Sequence, residues 1–256
     1  MFPINPKGWI GYNKIKDLTP LSGLSELFWL ELDGNKISDL TGLAGLKSLQ
    51  TLKIFDNKIK DLSPLHDLPD LFRIELRNNK IKDLSPLSKI PTLERLDLSW
   101  NKIKDLEPLE SLVELQELDL FDNKIKDLKP LKKLSKLSAL NVSFNNIKDI
   151  QTLESLEALT TLDVGGNNIK NISPLTSLEQ LTTLDISDNR IKDISPLTNL
   201  TQLIELNIDE TRIKDFSPLL SLSALEKLEA NKKDQEAIQK LTEMGAMPKV
   251  KIEYLA

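Results

Sequence analysis

Few side chains in this 256-residue sequence are of the kinds that perform catalysis. Cysteine is absent and His66 is the only histidine, so the usual nucleophile and base pairs are missing. No glycine-rich phosphate-binding loop occurs. Carboxylates are abundant, but they recur every 22 residues, as a structural repeat would place them. The sequence therefore predicts a protein that is not an enzyme and that holds no metal and no cofactor.

The side chains best suited to recognition are aromatic residues and arginines. Such residues dominate interface hot spots, where truncation of one commonly costs about 2 kcal/mol or more. The alternative is that the aromatic rings only shield a sheet surface. We favour binding, and the predicted partner-binding residues are Trp29, Phe55, Arg73, Arg77, Arg95, Trp100, Phe121, Phe144, Asp119 and Asp122.

A 22-residue repeat must position these side chains. The segment NKIKDLSPL occupies residues 57–65 and again 79–87. We number each repeat from its first leucine, so that Leu27 is position 1 and the pattern reads LxxLxLxxNxIxDLxPLxxLxx. Apolar positions 4 and 6, such as Leu30 and Leu32, alternate with polar positions, which is the period of a short strand with one buried face. One strand per repeat predicts a parallel sheet.

Two polar positions of the repeat have predicted structural roles. Position 13 is usually Asp and is followed by Leu-x-Pro-Leu, a helix-start signal on a segment too short for more than a turn or two. Position 9 is Asn, whose inward-pointing amide can satisfy backbone groups of adjacent turns. This predicted structural ladder comprises Asn35, Asn57, Asn79, Asn101, Asn123, Asn145, Asn167 and Asn189.

The pattern resembles the leucine-rich repeat, and its DLxPL segment is similar to the 22-residue subclass of bacterial internalins and of a regulatory subunit of eukaryotic protein phosphatase one. The resemblance covers roughly residues 9–230. It implies an α/β repeat solenoid, a right-handed leucine-rich-repeat horseshoe with a parallel concave sheet and short 3₁₀ turns on the convex side. It also implies protein binding on the concave face, or regulation of an enzyme such as a phosphatase.

We predict one structural domain with three parts. Residues 1–26 form a degenerate capping repeat, in which Gly8 replaces the leucine of position 4, and residues 27–224 form nine repeats. Residues 225–256 form a C-terminal cap with a partial repeat, a helix and a strand. The helix follows from the apolar spacing between Asp234 and Met244 with Gly245 at its end, and the strand from the alternating Val250, Ile252 and Tyr254.

The residues at positions 3, 5, 7 and 8 point away from the core. Seven of the twelve aromatic residues fall on these positions. Across the nine complete repeats these positions carry fourteen acidic and four basic residues, and all four basic residues lie in the first four repeats. We therefore expect a protein partner with a basic patch beside an apolar protrusion.

Positions 10 and 12 form a competing surface. They are Lys or Arg in seventeen of twenty cases from Lys14 to Lys214, so this edge could bind nucleic acid or an anionic membrane. The net charge of −5 and the neighbouring aspartates make nucleic acid the less favoured partner, and we favour a solvated edge whose charge the aspartates balance. An engineered scaffold is a further alternative, although the irregular outward-facing residues argue against a consensus design.

The N-terminal residues and the hydropathy are the sequence features that concern cellular location. The N-terminus lacks a basic start followed by an apolar stretch, and no segment is apolar for long enough to span a bilayer. We predict a cytoplasmic monomer without a small-molecule substrate; a processed secreted or surface form would carry the same sequence.

Overall fold

The computed structural model describes residues 7–243 and 250–255. The chain divides into two compact units, Met1–Ile125 and Lys126–Ala256. Each unit repeats one short strand and one 3₁₀ turn every 22 residues. Among the described residues, no helix is both long and apolar enough to cross a bilayer.

Within the described residues 7–125, the first unit contains six strands that pair in parallel and in chain order. They are β1 (Lys7–Trp9), β2 (Trp29–Glu31), β3 (Thr51–Lys53), β4 (Arg73–Glu75), β5 (Arg95–Asp97) and β6 (Glu117–Asp119). The 3₁₀ turns are Thr19–Leu21, Thr41–Leu43, Ser63–Leu65, Ser85–Lys89 and Glu107–Leu109. The strand register is one repeat, so that Leu30 lies opposite Leu52.

The second unit continues the same plan and ends with a helix and a last strand. Its strands are β7 (Ala139–Asn141), β8 (Thr161–Asp163), β9 (Thr183–Asp185), β10 (Glu205–Asn207), β11 (Lys227–Asn231) and β12 (Lys251–Leu255). Its 3₁₀ turns are Lys129–Lys133, Gln151–Ser155, Ser173–Ser177, Ser195–Asn199, Ser217–Ser221 and Lys232–Asp234, and its helix is α1 (Gln235–Glu243). The predicted leucine-rich-repeat architecture of parallel strands and short 3₁₀ turns is confirmed.

Leucine and isoleucine fill the core of each repeat. In the repeat that begins at Leu49, for example, Leu52, Ile54 and Ile59 are fully buried. Each such side chain contributes roughly 1.5–3 kcal/mol relative to its exposed state. No repeat can bury these groups alone, so neighbouring repeats stabilise one another.

The position-13 aspartates begin the 3₁₀ turns. The Asp61 carboxylate accepts hydrogen bonds from the Ser63 backbone N–H at 2.8 Å and from the Ser63 hydroxyl at 2.6 Å. Pro64 follows in the first turn, where its missing N–H leaves no donor unsatisfied. The amide of Asn171 makes the same bond to the Ser173 N–H, at 2.9 Å.

The position-9 asparagines connect consecutive repeats within each unit. Asn101 Oδ1 accepts from the Ile81 backbone N–H of the preceding repeat at 3.0 Å. Its Nδ2 donates to the Leu76 and Leu98 carbonyl oxygens at 3.1 and 3.0 Å. These peptide groups lie away from water, so the amide satisfies backbone atoms that the short strands leave unpaired.

The two ends of the chain depart from the repeat. Gly8 lies opposite Leu30, and a Cβ added to it would lie 3.2 Å from Leu30 Cδ1, so the neighbouring leucine fills the vacant core position. At the other end, β12 pairs in parallel with β11. Met244 and Gly245, with which the predicted helix ends, lie outside the described residues.

Candidate functional site

The outward side chains of positions 3, 5, 7 and 8 form a surface that we call the strand face. In most strands the position-4 residue is buried and its neighbours are not, as for buried Leu96 between half-buried Arg95 and Asp97. The prediction that positions 3 and 7 are outward is wrong for four side chains that are buried: Thr51, Asp33, Ser99 and Ser143.

Position 8 of every repeat has a left-handed backbone. Its φ values lie between 45° and 65° at Tyr12, Gly34, Asp56, Asn78, Trp100, Asp122, Phe144, Gly166, Asp188 and Glu210. Glycine, asparagine and aspartate adopt this conformation most readily, whereas bulky side chains are outliers there. This feature was not predicted from the sequence, although two glycines and an asparagine at one repeat position indicate it.

Three position-8 residues are aromatic in spite of that backbone. Tyr12, Trp100 and Phe144 retain 69%, 45% and 53% of their accessible surface. A bulky residue in this conformation costs on the order of 1 kcal/mol or more, and such strain is concentrated at functional sites. Burial in the core therefore does not explain these three aromatic residues.

Trp100 and Phe121 form an aromatic pair on the strand face of the first unit. Their ring centroids are 5.3 Å apart and their planes are inclined by 45°. The Trp100 backbone N–H donates to the Phe121 carbonyl oxygen at 2.8 Å, which fixes the two residues relative to each other. The pair combines a half-buried ring with an exposed one, an arrangement suited to receiving an apolar group.

Asp119, which we predicted as a binding residue, binds the backbone of Phe121, one member of this pair. Its Oδ1 accepts a hydrogen bond from the Phe121 backbone N–H at 2.8 Å. The same bond joins positions 5 and 7 in other repeats, including Asp97 to Ser99 and Asp185 to Ser187. The position-5 carboxylate therefore acts on the backbone of its own repeat, a role that the sequence analysis did not recognise.

Phe144 belongs to the second unit and lies against a glycine of the next repeat. A Cβ added to Gly166 would lie 3.0 Å from carbon atoms of the Phe144 ring. Tyr12 and Gly34 show the same relationship in the first unit, where an added Cβ would lie 2.6 Å from the Tyr12 ring. Glycine at position 8 thus makes room for an aromatic ring from the preceding repeat.

Trp29 is engaged within the first unit. Its indole N–H donates to Glu31 Oε1 at 2.8 Å, and the ammonium groups of Lys7 and Lys53 each lie 5.4 Å from its ring centroid. Lys53 also lies 3.9 Å from Glu31 and 3.5 Å from Glu75. Half-buried and held by these contacts, Trp29 is less available than Trp100.

The predicted binding arginines differ in availability. Arg73 is paired with Glu75 at 2.6 Å and Arg95 with Glu117 at 3.4 Å. Arg77 is exposed and makes no ion pair with any residue in the described part of the chain. The remaining predicted residues are Phe55, which is half-buried and donates its N–H to Asp33 at 3.1 Å, and the half-buried Asp122.

Asp33 is a buried carboxylate beside Phe55. Burial raises its pKa from 3.8 to about 6, against the opposing effect of the Phe55 N–H, and the nearby Glu31 and Glu75 raise it further. Only 4% of its surface is accessible. Burial at this place therefore disfavours the charged form of the carboxylate relative to its form in water.

The strand face of the second unit is acidic in its central strands. Asp163 and Asp185 lie opposite each other in β8 and β9. Burial raises the pKa of Asp163, and the charge of Asp185 adds to that effect. Among the described strands of this unit, basic side chains occur on this face only in β11 and β12, where Lys227 is bonded to Glu229 at 2.5 Å.

This acidity does not form a metal site. No group of three or more His, Cys, Asp or Glu side chains able to hold a metal ion occurs within residues 7–243 and 250–255. The surface at this site is aromatic and acidic.

Comparison with known proteins identifies the repeat. The family model of leucine-rich repeats (two copies) matches eight overlapping segments that together span residues 25–221. Comparison with curated protein sequences gave no match.

Solved structures give the same answer. The internalin InlF of Listeria monocytogenes is 30% identical with a TM-score of 0.78, and the match covers 96% of this chain and 86% of that chain. Internalin C2 of the same species is 30% identical with a TM-score of 0.64, covering 84% and 90% of the two chains. A chain of the octameric complex of latrophilin 3, Unc5D and FLRT2 (LRR) is 20% identical with a TM-score of 0.78, covering 96% and 82%, which shows the fold alone. The 22-residue repeat, its parallel strands and these matches together show that the chain belongs to the leucine-rich-repeat family.

Proposed function

We propose that this protein binds another protein through its strand face, without catalysis, and that Trp100 and Phe121 form the apolar centre of that contact. The observation that carries the proposal is Trp100 itself. It is a large side chain, 45% exposed, on a backbone conformation that disfavours it. The ring contact with Phe121 does no more than offset the strain of this backbone, so that contact does not account for a tryptophan at this position.

Charge complementarity defines the partner further. Arg77 provides an exposed cation on the same face of the first unit, while Asp163, Asp185, Asp188 and Glu210 make the strand face of the second unit acidic. We infer a partner with an apolar protrusion for the aromatic pair and a basic surface that the acidic unit attracts, so that association slows as the salt concentration rises.

The relatives are consistent with binding of this kind. Leucine-rich-repeat proteins typically mediate contacts between proteins, and the octameric complex with FLRT2 is one such assembly. Regulation of an enzyme, as in the phosphatase regulator, would be a special case in which the bound partner is an enzyme.

The test compares three forms of the full chain, each immobilised on affinity resin and exposed to a lysate of the source organism. They are the wild type, a Trp100→Ala, Phe121→Ala variant, and a Val113→Ala, Leu220→Ala control that removes exposed apolar groups outside the strands. A captured protein is then purified, and its affinity for each form is measured by calorimetry.

We expect the wild type and the control to bind the partner alike and the aromatic variant to bind at least about tenfold more weakly, as for two hot-spot residues. Circular dichroism confirms that each variant is folded. Equal affinity of all three forms would exclude the aromatic pair as the contact.

A further inference from the structure

The edge formed by positions 10 and 12 differs between the two units. In the first unit position 10 is lysine in every repeat, at Lys14, Lys36, Lys58, Lys80, Lys102 and Lys124. Position 12 adds Lys16, Lys60, Lys82 and Lys104, so that a double row of ammonium groups results. In the second unit position 10 is Asn146, Asn168, Arg190 and Arg212, so the row is single in the first two of these repeats and double again in the last two.

The backbone holds this double row at regular intervals. The Lys80 N–H donates to the Ile59 carbonyl oxygen at 2.8 Å, and the Lys102 N–H donates to that of Ile81 at 3.0 Å. These bonds join each lysine to the preceding repeat, and neighbouring strands of a sheet are roughly 5 Å apart. The fold therefore fixes the spacing of the lysine backbones from which the ammonium groups extend.

The aspartates beside the row do not pair with it. Asp83 accepts hydrogen bonds from the backbone N–H of Ser85, at 2.9 Å, and from its hydroxyl group. These two bonds lower the pKa of Asp83, so its carboxylate is engaged by the residues that start a 3₁₀ turn. Within the described ranges, Lys60, Lys80, Lys82 and Lys102 form no ion pair.

Those four lysines surround one surface depression, with Asp83 as the single acidic residue in its lining. They come from three consecutive repeats, and their flexible stems allow several ammonium groups to approach one anionic group. Phosphate and sulfate groups are suitable ligands, since lysine binds them as a point charge.

We propose that the lysine edge of the first unit binds a linear polyanion that carries phosphate or sulfate groups on a chain without bases. Positions 10 and 12 contain no aromatic residue in any repeat. Single-stranded nucleic acid is usually bound by aromatic stacking in addition to charge, and this edge offers charge alone. The site is separate from the strand face, so it stands or falls independently of the proposed protein binding.

The test measures binding of a heparin oligosaccharide, of inorganic polyphosphate and of a thymidine oligonucleotide to the full chain by calorimetry. The variant K60Q/K80Q/K82Q/K102Q removes the four lysines of the depression. The control K148Q/K170Q/K192Q/K214Q removes the same charge from position 12 of other repeats. Both variants are checked for folding by circular dichroism.

We expect heparin or polyphosphate to bind with an affinity that falls steeply with salt. Tighter binding of heparin would indicate a sulfated ligand, and tighter binding of polyphosphate would indicate a phosphorylated one. The first variant should lose at least about tenfold in affinity, because several ammonium contacts disappear together, and the control less than about threefold. An equal loss in both variants would show diffuse attraction and overturn the proposal, as would the absence of binding by the wild type or a preference for the oligonucleotide.

Discussion

Trp100 and Phe121 meet across consecutive repeats with ring centroids 5.3 Å apart, although the Trp100 backbone has a φ of 56°. The ring contact contributes about 0.5–1.5 kcal/mol beyond the area that it buries. The left-handed backbone costs a comparable amount, on the order of 1 kcal/mol. The two effects are of similar size, so the ring contact by itself does no more than offset the strain of this backbone.

The first prediction separates backbone strain from the ring contact at this residue. Trp100→Ala removes the ring and keeps the strain, whereas Trp100→Gly removes both. We expect the glycine variant to unfold at a higher urea concentration than the alanine variant, with a free energy of unfolding about 1 kcal/mol greater. Both variants should remain folded at room temperature and lose affinity for the partner.

Control substitutions at Ser99 make this comparison specific. Ser99 precedes Trp100 and is absent from the residues with positive φ, so Ser99→Gly should be less stable than Ser99→Ala. If glycine were inferior to alanine at both residues, strain at Trp100 would not account for the result. Loss of folding in Trp100→Ala would make the aromatic residue structural and would contradict the proposed site.

The second prediction concerns the asparagine ladder. Asn101→Ala leaves the Ile81 N–H and the Leu76 and Leu98 carbonyl oxygens without their amide partner. A buried unsatisfied polar group costs about 1–3 kcal/mol, so we expect a loss of at least about 2 kcal/mol, measured by urea denaturation. Lys102→Ala, at the next and exposed position, should change stability by less than about 0.5 kcal/mol. Similar losses in the two variants would contradict the structural role of Asn101.

The sequence predicts the parallel strands, their period and the 3₁₀ turns because every repeat carries the same residue types at the same positions. The Leu and Ile side chains at positions 4, 6 and 11 can be buried only if neighbouring repeats stack on one another, and this requirement determines the arrangement of the repeats. The aspartate and proline of each turn are similarly readable, since Asp61 and Pro64 act within one short segment.

Contacts between outward side chains could not be predicted in the same way. Whether Arg73 faces a partner or its own Glu75 depends on side-chain directions that repeat spacing does not specify. The left-handed backbone at position 8 was obscured because aromatic residues occupy it in three repeats. The acceptor role of Asp119 was hidden for the opposite reason, since an outward carboxylate has the same sequence signature whether it binds its own backbone or a ligand.

The third prediction uses the aspartates that begin the 3₁₀ turns. Hydrogen bonds from the Ser63 hydroxyl and N–H lower the pKa of Asp61 below 3.8. Its contribution to stability is therefore complete above pH 3.8 and is lost as the pH falls through the lower pKa of the folded state. Asp61→Ala should reduce the free energy of unfolding at pH 7 by about 1 kcal/mol, as for loss of a helix cap.

Asp61→Asn is the matched control, because Asn171 makes the equivalent bond in another repeat. It should keep most of the stability at pH 7. The difference between the wild type and Asp61→Ala, followed by urea denaturation, should shrink as the pH is lowered below 3.8. A difference that stays the same over that range would mean that the charge of Asp61 has no part in starting the turn.

The fourth prediction has the opposite sign and concerns Asp33. Its folded-state pKa of about 6 lies above the ordinary value of 3.8, so the folded protein holds a proton that the unfolded chain releases. The associated stability is fully present below pH 3.8 and is lost as the pH rises through 6. Asp33→Asn remains uncharged and keeps an oxygen to accept from the Phe55 N–H. At pH 7 the variant should exceed the wild type by on the order of 2 kcal/mol.

Urea denaturation of wild type and Asp33→Asn at intervals from pH 3.5 to pH 8 tests this prediction. The advantage of the variant should be small at pH 3.5, grow between pH 4 and pH 6, and level off above pH 7. Such a curve would assign the change to one group, since a general effect of the substitution would be the same at every pH. An advantage that fell with rising pH would mean that Asp33 is stabilised as the anion, and Lys53 would then be the cation responsible.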